Sequence, residues 1–143
     1  KNLFKEISIV KDALIAYETG GVHAMHDPTE GGIIGGINEI ADASKLGVII
    51  FENKIPIKVE TSAICKHFKI DPLQLISSGA LIISARSEYS NKILKKLKTM
   101  GIPAKIIGEF IKKIDQRIII KKNGRKKVLP RPKSDHLWKA LKS

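Results

Sequence analysis

The sequence predicts an α/β (α+β) fold in which a mixed β-sheet is flanked by helices. Three observations carry this. Helical and extended hydrophobic patterns alternate from residue 5 to residue 110, the order expected when helices cover a sheet. A glycine-rich turn joins a short extended run to a helical one over residues 26–36. Near the C-terminus, Asn123-Gly124 separates two apolar runs and marks a hairpin.

The elements follow in order. Residues 5–19 place Ile7, Ile9 or Val10, Leu14 and Tyr17 at helical spacing, and Gly20-Gly21 supplies the stop. Residues 22–27 read as a short strand. A second helix is predicted over 31–45, with Ile33, Ile34, Ile37, Ile40 and Ala41 on one face and Gly47 just past its end. Gly35 and Gly36 lie inside that helix. Glycine there costs about 1 kcal/mol relative to alanine, so a close approach to a sheet is expected. Residues 48–52 form a strand, 55–57 a short extended piece, and 61–68 a helix begun from Glu60. Asp71-Pro72 has the form of an N-cap with proline at the first helical position. A buried strand over 80–85, an amphipathic helix over 87–100 and a strand over 104–110 come next. Residues 114–122 and 125–129 make the hairpin. Pro130-Arg131-Pro132 breaks the pattern, and 134–141 end in a short helix carrying Trp138. The order is α-β-α-β-α-β-α-β-β-β-α.

At 143 residues the chain is long enough for one domain with its own core. Hydrophobic content of 43% with 28% charged residues fits a globular protein rather than a disordered one. No apolar run approaches the roughly 20 residues that cross a bilayer, so no membrane partner is expected. With no signal-peptide pattern and no methionine at Lys1, the chain is expected to be cut from a longer protein. The single cysteine, Cys65, allows no internal disulfide and fits a cytoplasmic setting. The net charge of +12 and pI of about 9.9 raise nucleic acid as a partner. The densest basic run, residues 121–127, contains no aromatic to stack on bases and brackets the Asn-Gly turn. It reads as a solvated hairpin tip, and nucleic acid is not the expected ligand.

Residues 26–36 read His-Asp-Pro-Thr-Glu-Gly-Gly-Ile-Ile-Gly-Gly. Proline at 28 ends the extended run, and glycines then lead into the helix. Such a turn has two readings. It can aim the unpartnered first N–H groups of a helix at a phosphate or carboxylate, or it can be a structural tight turn. Thr29 serves as the helix N-cap, or turns its hydroxyl to a ligand. The spacing matches neither the P-loop nor the dinucleotide fingerprint. His23, His26 and Asp27 lack a further ligand, so no metal site is expected. Cys65 and His67 are two apart in a helix and do not face each other. Ser77-Ser78-Gly79 is a second tight loop at the same sheet edge or simply a turn into the following strand.

Four segments in order carry a resemblance: MHDPTEGGIIGGINEIADAS (25–44), NKIPI (53–57), HFKIDPLQLISSGALIIS (67–84) and GIPAKIIGEF (101–110). The chain resembles, over about residues 5–120, the C-terminal domain of the AIR synthase (PurM)-related superfamily. That group includes aminoimidazole ribonucleotide synthase, the hydrogenase maturation protein HypE, selenophosphate synthetase and thiamine-monophosphate kinase, and the motifs look most like the HypE branch.

The resemblance implies a PurM C-terminal domain-like fold over 1–129, with 130–143 as a helical extension packed on it. It also implies a two-domain, ATP-using synthase- or ligase-like enzyme. In that arrangement an N-terminal domain, absent from this chain, binds ATP and Mg2+ through acidic residues and usually dimerises. The C-terminal domain closes the cleft. The implied substrate- or phosphate-binding residues are Asp27, Thr29, Gly31 and Gly32, with Ser78 and Gly79 in a second loop beside the cleft. No metal ligand and no catalytic residue is implied here, and this domain alone is expected to bind no cofactor and to be inactive. Three positions depart from the HypE pattern. Glu30 stands where arginine is usual, and Ser77-Ser78-Gly79 where Asn-Glu-Gly is usual. The tail ends in Ser143, without the terminal cysteine that accepts a carbamoyl group in HypE.

The expected function is therefore the substrate- and phosphate-side domain of a PurM/HypE-like, ATP-dependent enzyme. Its expected partners are its own N-terminal domain, a second copy in a homodimer, and hydrogenase maturation proteins. A non-catalytic interaction or dimerisation module in hydrogenase assembly is the alternative, and a basic nucleic-acid-binding domain a weaker one.

Overall fold

A computed structural model describes residues 7–141. Every predicted element is present, in the predicted order: α1 (Val10–Thr19), β1 (Val22–His26), α2 (Gly32–Ser44), β2 (Gly47–Phe51), α3 (Val59–His67), β3 (Ile82–Ala85), α4 (Ser87–Thr99), β4 (Gly108–Ile111), β5 (Arg117–Ile120), β6 (Lys126–Val128) and α5 (Leu137–Ala140). Two 3-10 turns, Glu52–Lys54 and Pro72–Gln74, lie between them. Residues 5 and 6 of the first predicted helix and the last two residues of the chain lie outside the described residues. Among the described residues no helix is long and apolar enough to cross a membrane.

The strands divide between two sheets. β1 and β3 form an antiparallel ribbon, with Met25 opposite Ile83 and His26 opposite Ile82. The other four strands make a mixed sheet in the order β4-β2-β5-β6, in which only β2 and β5 run parallel. The division follows from α2, which packs against both. A Cβ on Gly36 would lie 2.6 Å from His26 Cδ2 and 2.9 Å from Ile82 Cδ1, so the bare backbone lets the helix sit on the ribbon. Ile34, Ile37, Ile40 and Ala41 fill the other side with Val48 and Ile50 of β2, Ile119 of β5, and Leu73 and Leu129. The expected reason for glycines inside this helix, close packing, is what the structure contains.

Neighbouring residues on a strand point to opposite faces. Ile82 joins the α2 core, whereas Ile83 packs with Ile15 and Ala16 of α1 and Ile93 and Leu97 of α4. The α1 stripe predicted from spacing is not the buried one. Val10, Leu14 and Tyr17 are 63%, 54% and 71% exposed, while Ile15 and Ala16 are buried. Both stripes have helical spacing, and α4 selects the second.

Several ends differ from prediction. β4 starts at Gly108 rather than 104, although Ile107 still accepts from the Phe51 N–H (2.8 Å). The hairpin tip is wider than a two-residue Asn-Gly turn. Gly124 donates to the Lys121 carbonyl (2.8 Å) and alone takes positive φ there, at 80°. Glu52 holds this tip by pairing with the Lys121 ammonium and accepting from the Lys122 N–H (2.9 Å).

Burial pushes the Glu52 carboxyl up, but its bonds to Lys121 and Lys122 outweigh this and hold it below its ordinary value of 4.5. A carboxyl lowered on folding stabilises the fold above its unfolded value and loses that contribution as pH falls through the folded value. Glu52→Gln should therefore cost about 1 kcal/mol at pH 7. It should also flatten the loss of stability below about pH 4.5, measured by urea denaturation across pH.

Candidate functional site

The glycine-rich turn starts where Pro28 ends β1. The Thr29 N–H donates to the Asp27 carbonyl (2.8 Å), and the Gly32 N–H donates to the Thr29 carbonyl (3.2 Å). Gly31 and Gly32 take φ of 73° and 61°, a left-handed pair that side chains resist. The second predicted loop lies against the first, because the Ser77 N–H donates to the Pro28 carbonyl (3.1 Å). Asp27, Thr29, Glu30 and Ser78 are exposed along this edge, Gly79 is half-buried, and Gly31 and Gly32 are buried beneath it.

Thr29 is not the helix N-cap. That place falls to Gly31, and no side chain at the start of α2 caps the helix. The Gly31 N–H donates instead to Asp135 Oδ2 (2.8 Å), 104 residues downstream. Asp135 is 3% exposed, and its Oδ1 accepts from the Leu137 N–H (2.7 Å) at the start of α5. A carboxylate at the positive end of a buried 13-residue helix is electrostatically favourable. The Gly32 backbone packs on the Pro72–Gln74 turn, where a Cβ would sit 2.4 Å from the Leu75 carbonyl oxygen. Asp71 caps that turn as predicted, accepting from the Leu73 N–H (2.9 Å).

Residues 130–141 cross the head of α2 as a strap. Asn38, buried in the middle of α2, donates to the carbonyls of Ile34 (2.9 Å) and Pro130 (2.8 Å), and its Oδ1 accepts from Arg117 (3.2 Å). Arg131 pairs with Asp42 at 2.6 Å, and Arg117 reaches the same oxygen. Arg131 and then Arg117 hold the Asp42 carboxyl below its ordinary range. Pro132 packs 3.3 Å from the position a Gly31 Cβ would take. His136 donates its N–H to the Gln74 carbonyl (3.1 Å), and its Nδ1 accepts from the Asp71 N–H (3.0 Å).

Sequence reasoning missed Asn38, Asp135 and His136. An Asp side chain readily accepts from the backbone N–H two residues on, so the contact of Asp135 with Leu137 has a local signature. Nothing local points Asp135 at Gly31. Elsewhere, His26 Nε2 lies 2.6 Å from Glu39 Oε2. Cys65 is buried, and burial followed by the Asp71 charge pushes its thiol up. Among the described residues no group of three or more His, Cys, Asp or Glu is placed to hold a metal ion.

Fold and site together define an α+β domain that presents two linked loops at the head of a glycine-lined helix. The sequence profile of the AIR synthase related protein, C-terminal domain, family matches residues 2–121, and the chain belongs to that family. It is 34% identical over 116 residues to a Methanocaldococcus jannaschii protein named for hydrogenase expression/formation, covering 80% of this chain and 34% of that one. It is 33% identical over 122 residues to carbamoyl dehydratase HypE of Rhizobium leguminosarum bv. viciae, covering 78% and 35%. The chain thus spans about a third of the length of these relatives. Among solved structures, it matches HypE in a HypE–HypF complex with a TM-score of 0.79, at 28% identity over 87% of this chain and 41% of that one. It matches HypE in complex with ATP with a TM-score of 0.74, at 26% identity over 81% and 37%.

Gly32→Ala should destabilise the chain by at least about 2 kcal/mol in urea denaturation, because both the left-handed backbone and the Leu75 carbonyl oppose a methyl group.

Proposed function

We propose that this chain is the substrate- and phosphate-side domain of a cytoplasmic, HypE-like, ATP-dependent enzyme, inactive without an N-terminal ATP-binding half. In this reading residues 1–129 are the domain body and 130–143 its extension. One observation carries the proposal. In a member of this family, the Pro28 carbonyl and the Ser77 N–H join the two loops along a single exposed edge at the head of α2.

The residues fit one end of a nucleotide or phosphorylated substrate. Thr29 and Ser78 offer exposed hydroxyls that can donate to phosphate oxygens, and the Asp27–Gly32 turn places them. Asp27 and Glu30 add negative charge to the same edge, so the phosphate must arrive with a counter-cation. Mg2+ is assigned to the N-terminal half, as the resemblance to two-domain, ATP-using relatives implies. ATP, when bound, supplies the phosphoryl group. The ATP-bound HypE structure supports the nucleotide, and the HypE–HypF complex supports a maturation partner.

In the longer protein, Thr29→Ala and Ser78→Ala should each weaken ATP binding about 3- to 10-fold by calorimetry, as loss of one hydrogen bond implies. A longer protein that binds no ATP would sink the proposal.

A second reading, an interaction module, draws on the exposed Val10, Leu14 and Tyr17 stripe of α1. We assign that stripe to the N-terminal half of the same protein. Light scattering should accordingly find the 143-residue chain self-associating with a mass that falls on dilution, and the longer protein's association unaffected by Leu14→Lys. A concentration-independent dimer broken by Leu14→Lys in both forms would favour the interaction module.

A further inference from the structure

The mixed sheet is apolar on both faces, and α2 covers one of them. Val48, Ile50, Ile119 and Leu129 face α2 and are buried. Residues paired across neighbouring strands share a face. On the outer face Ile49 is level with Glu109 of β4 and Ile118 of β5, and Ile118 with Val128 of β6. Two residues along, Phe51 is level with Ile120, and Ile120 with Lys126. Ile111, opposite Gly47, completes the face. Five of its apolar residues are half-buried, Val128 is 81% exposed, and none of the six belongs to either core. A sheet with one face in water alternates apolar and polar residues, whereas one covered on both faces reads as a continuous apolar run. The central strands are of the second kind, with Val48-Ile49-Ile50-Phe51 in β2 and Ile118-Ile119-Ile120 in β5. Their sequences therefore call for a cover on the outer face.

We propose that this outer face is an interface between two copies of the chain, packed sheet on sheet about a two-fold axis parallel to the strands. The face carries its own electrostatic complement. Glu109 stands exposed at the β4 edge and Lys126 at the β6 edge, with the apolar residues between them. The axis lays β4 of one copy over β6 of the other. Each Glu109 then stands across from Val128, with Lys126 about 7 Å along the strand and within reach of a lysine side chain. Symmetry makes each contact twice. The exposed α1 stripe lies on the far side of the domain. α1 packs on the ribbon face carrying Ile83, whereas α2 and the sheet lie beyond the Ile82 face. A partner seated on α1 thus leaves the outer face free. The face measures about 19 by 13 Å, from strands about 4.8 Å apart and residues about 3.3 Å apart. That is well below the roughly 800 Å2 per partner of a stable complex, so the dimer is a reversible one and its charged edges set the alignment. None of this depends on the phosphate-side reading.

The test is sedentation equilibrium of the 143-residue chain carrying Leu14→Lys, which silences the α1 stripe, at low salt and concentrations up to about 1 mM. That protein should form a dimer that dissociates on dilution. Glu109→Lys and Lys126→Glu each turn two attractive pairs into two repulsive ones and should each raise the dimer Kd about tenfold. The double swap Glu109→Lys/Lys126→Glu should bring Kd back to within about twofold of the parent. All three changes are at exposed positions, and circular dichroism checks that each variant is folded. Val128→Asp, which breaks the apolar contact and sets a second carboxylate opposite Glu109, should also raise Kd about tenfold. A protein that stays monomeric at every concentration overturns the proposal and leaves the face to a different partner. A dimer indifferent to all four variants overturns it too, by placing the contact elsewhere. Single swaps that weaken the dimer without recovery in the double swap overturn the two-fold pairing of Glu109 with Lys126.

Discussion

The fold depends on how closely α2 can be approached. Gly36 lets it sit on the β1–β3 ribbon, Gly32 lets the Pro72–Gln74 turn meet its head, and Ile34, Ile37 and Ile40 fill the mixed sheet on the remaining side. Magnitudes favour this arrangement. Each interior glycine costs about 1 kcal/mol of helix propensity, whereas full burial of an isoleucine contributes about 1.5–3 kcal/mol. Three isoleucines therefore outweigh Gly35 and Gly36. The ribbon and the four-stranded sheet need no shared ladder, because both are fastened to the same helix.

Burying a helix this completely brings polar groups inside, and each finds partners. Asn38 sits among Ile34, Pro130 and Arg117, and Asp135 sits between the Gly31 and Leu137 N–H groups. An isolated buried carboxylate would be costly. Two backbone donors and the positive end of α2 make this one tolerable. The same contacts fasten residues 130–137 to the head of the helix, so closing the core and covering the glycine turn are one event. Asp27 and Glu30 stand exposed beside the turn, and Lys121 is engaged by Glu52 at the hairpin tip.

Elements were legible in the sequence because their periods are local. Spacings of 3.6 and 2 residues, with Gly20, Asp71-Pro72 and Asn123-Gly124 as punctuation, give the eleven helices and strands of the described residues in order. What was not legible depends on partners. The buried face of α1 was misread because two stripes share helical spacing and only Ile93 and Leu97 decide between them. The division into two sheets depends on α2 lying against both. At the candidate site, the two loops were legible as loops, and Gly35-Gly36 as a packing device. The group that engages Gly31 was not, since its sequence separation of 104 leaves no local trace.

Asp135 also bears on how this chain relates to the HypE pattern. That pattern implies a tail whose terminal cysteine carries chemistry. Residues 130–141 of this chain contain no thiol, and the polar groups they bring to the turn are a carboxylate and an imidazole. A thiol that receives a group must be able to leave its resting place and meet a second reactant. A carboxylate held on a helix head serves the fold instead: Asp135 accepts from the Gly31 and Leu137 N–H groups and so fastens the residues after Pro132 to the start of α2.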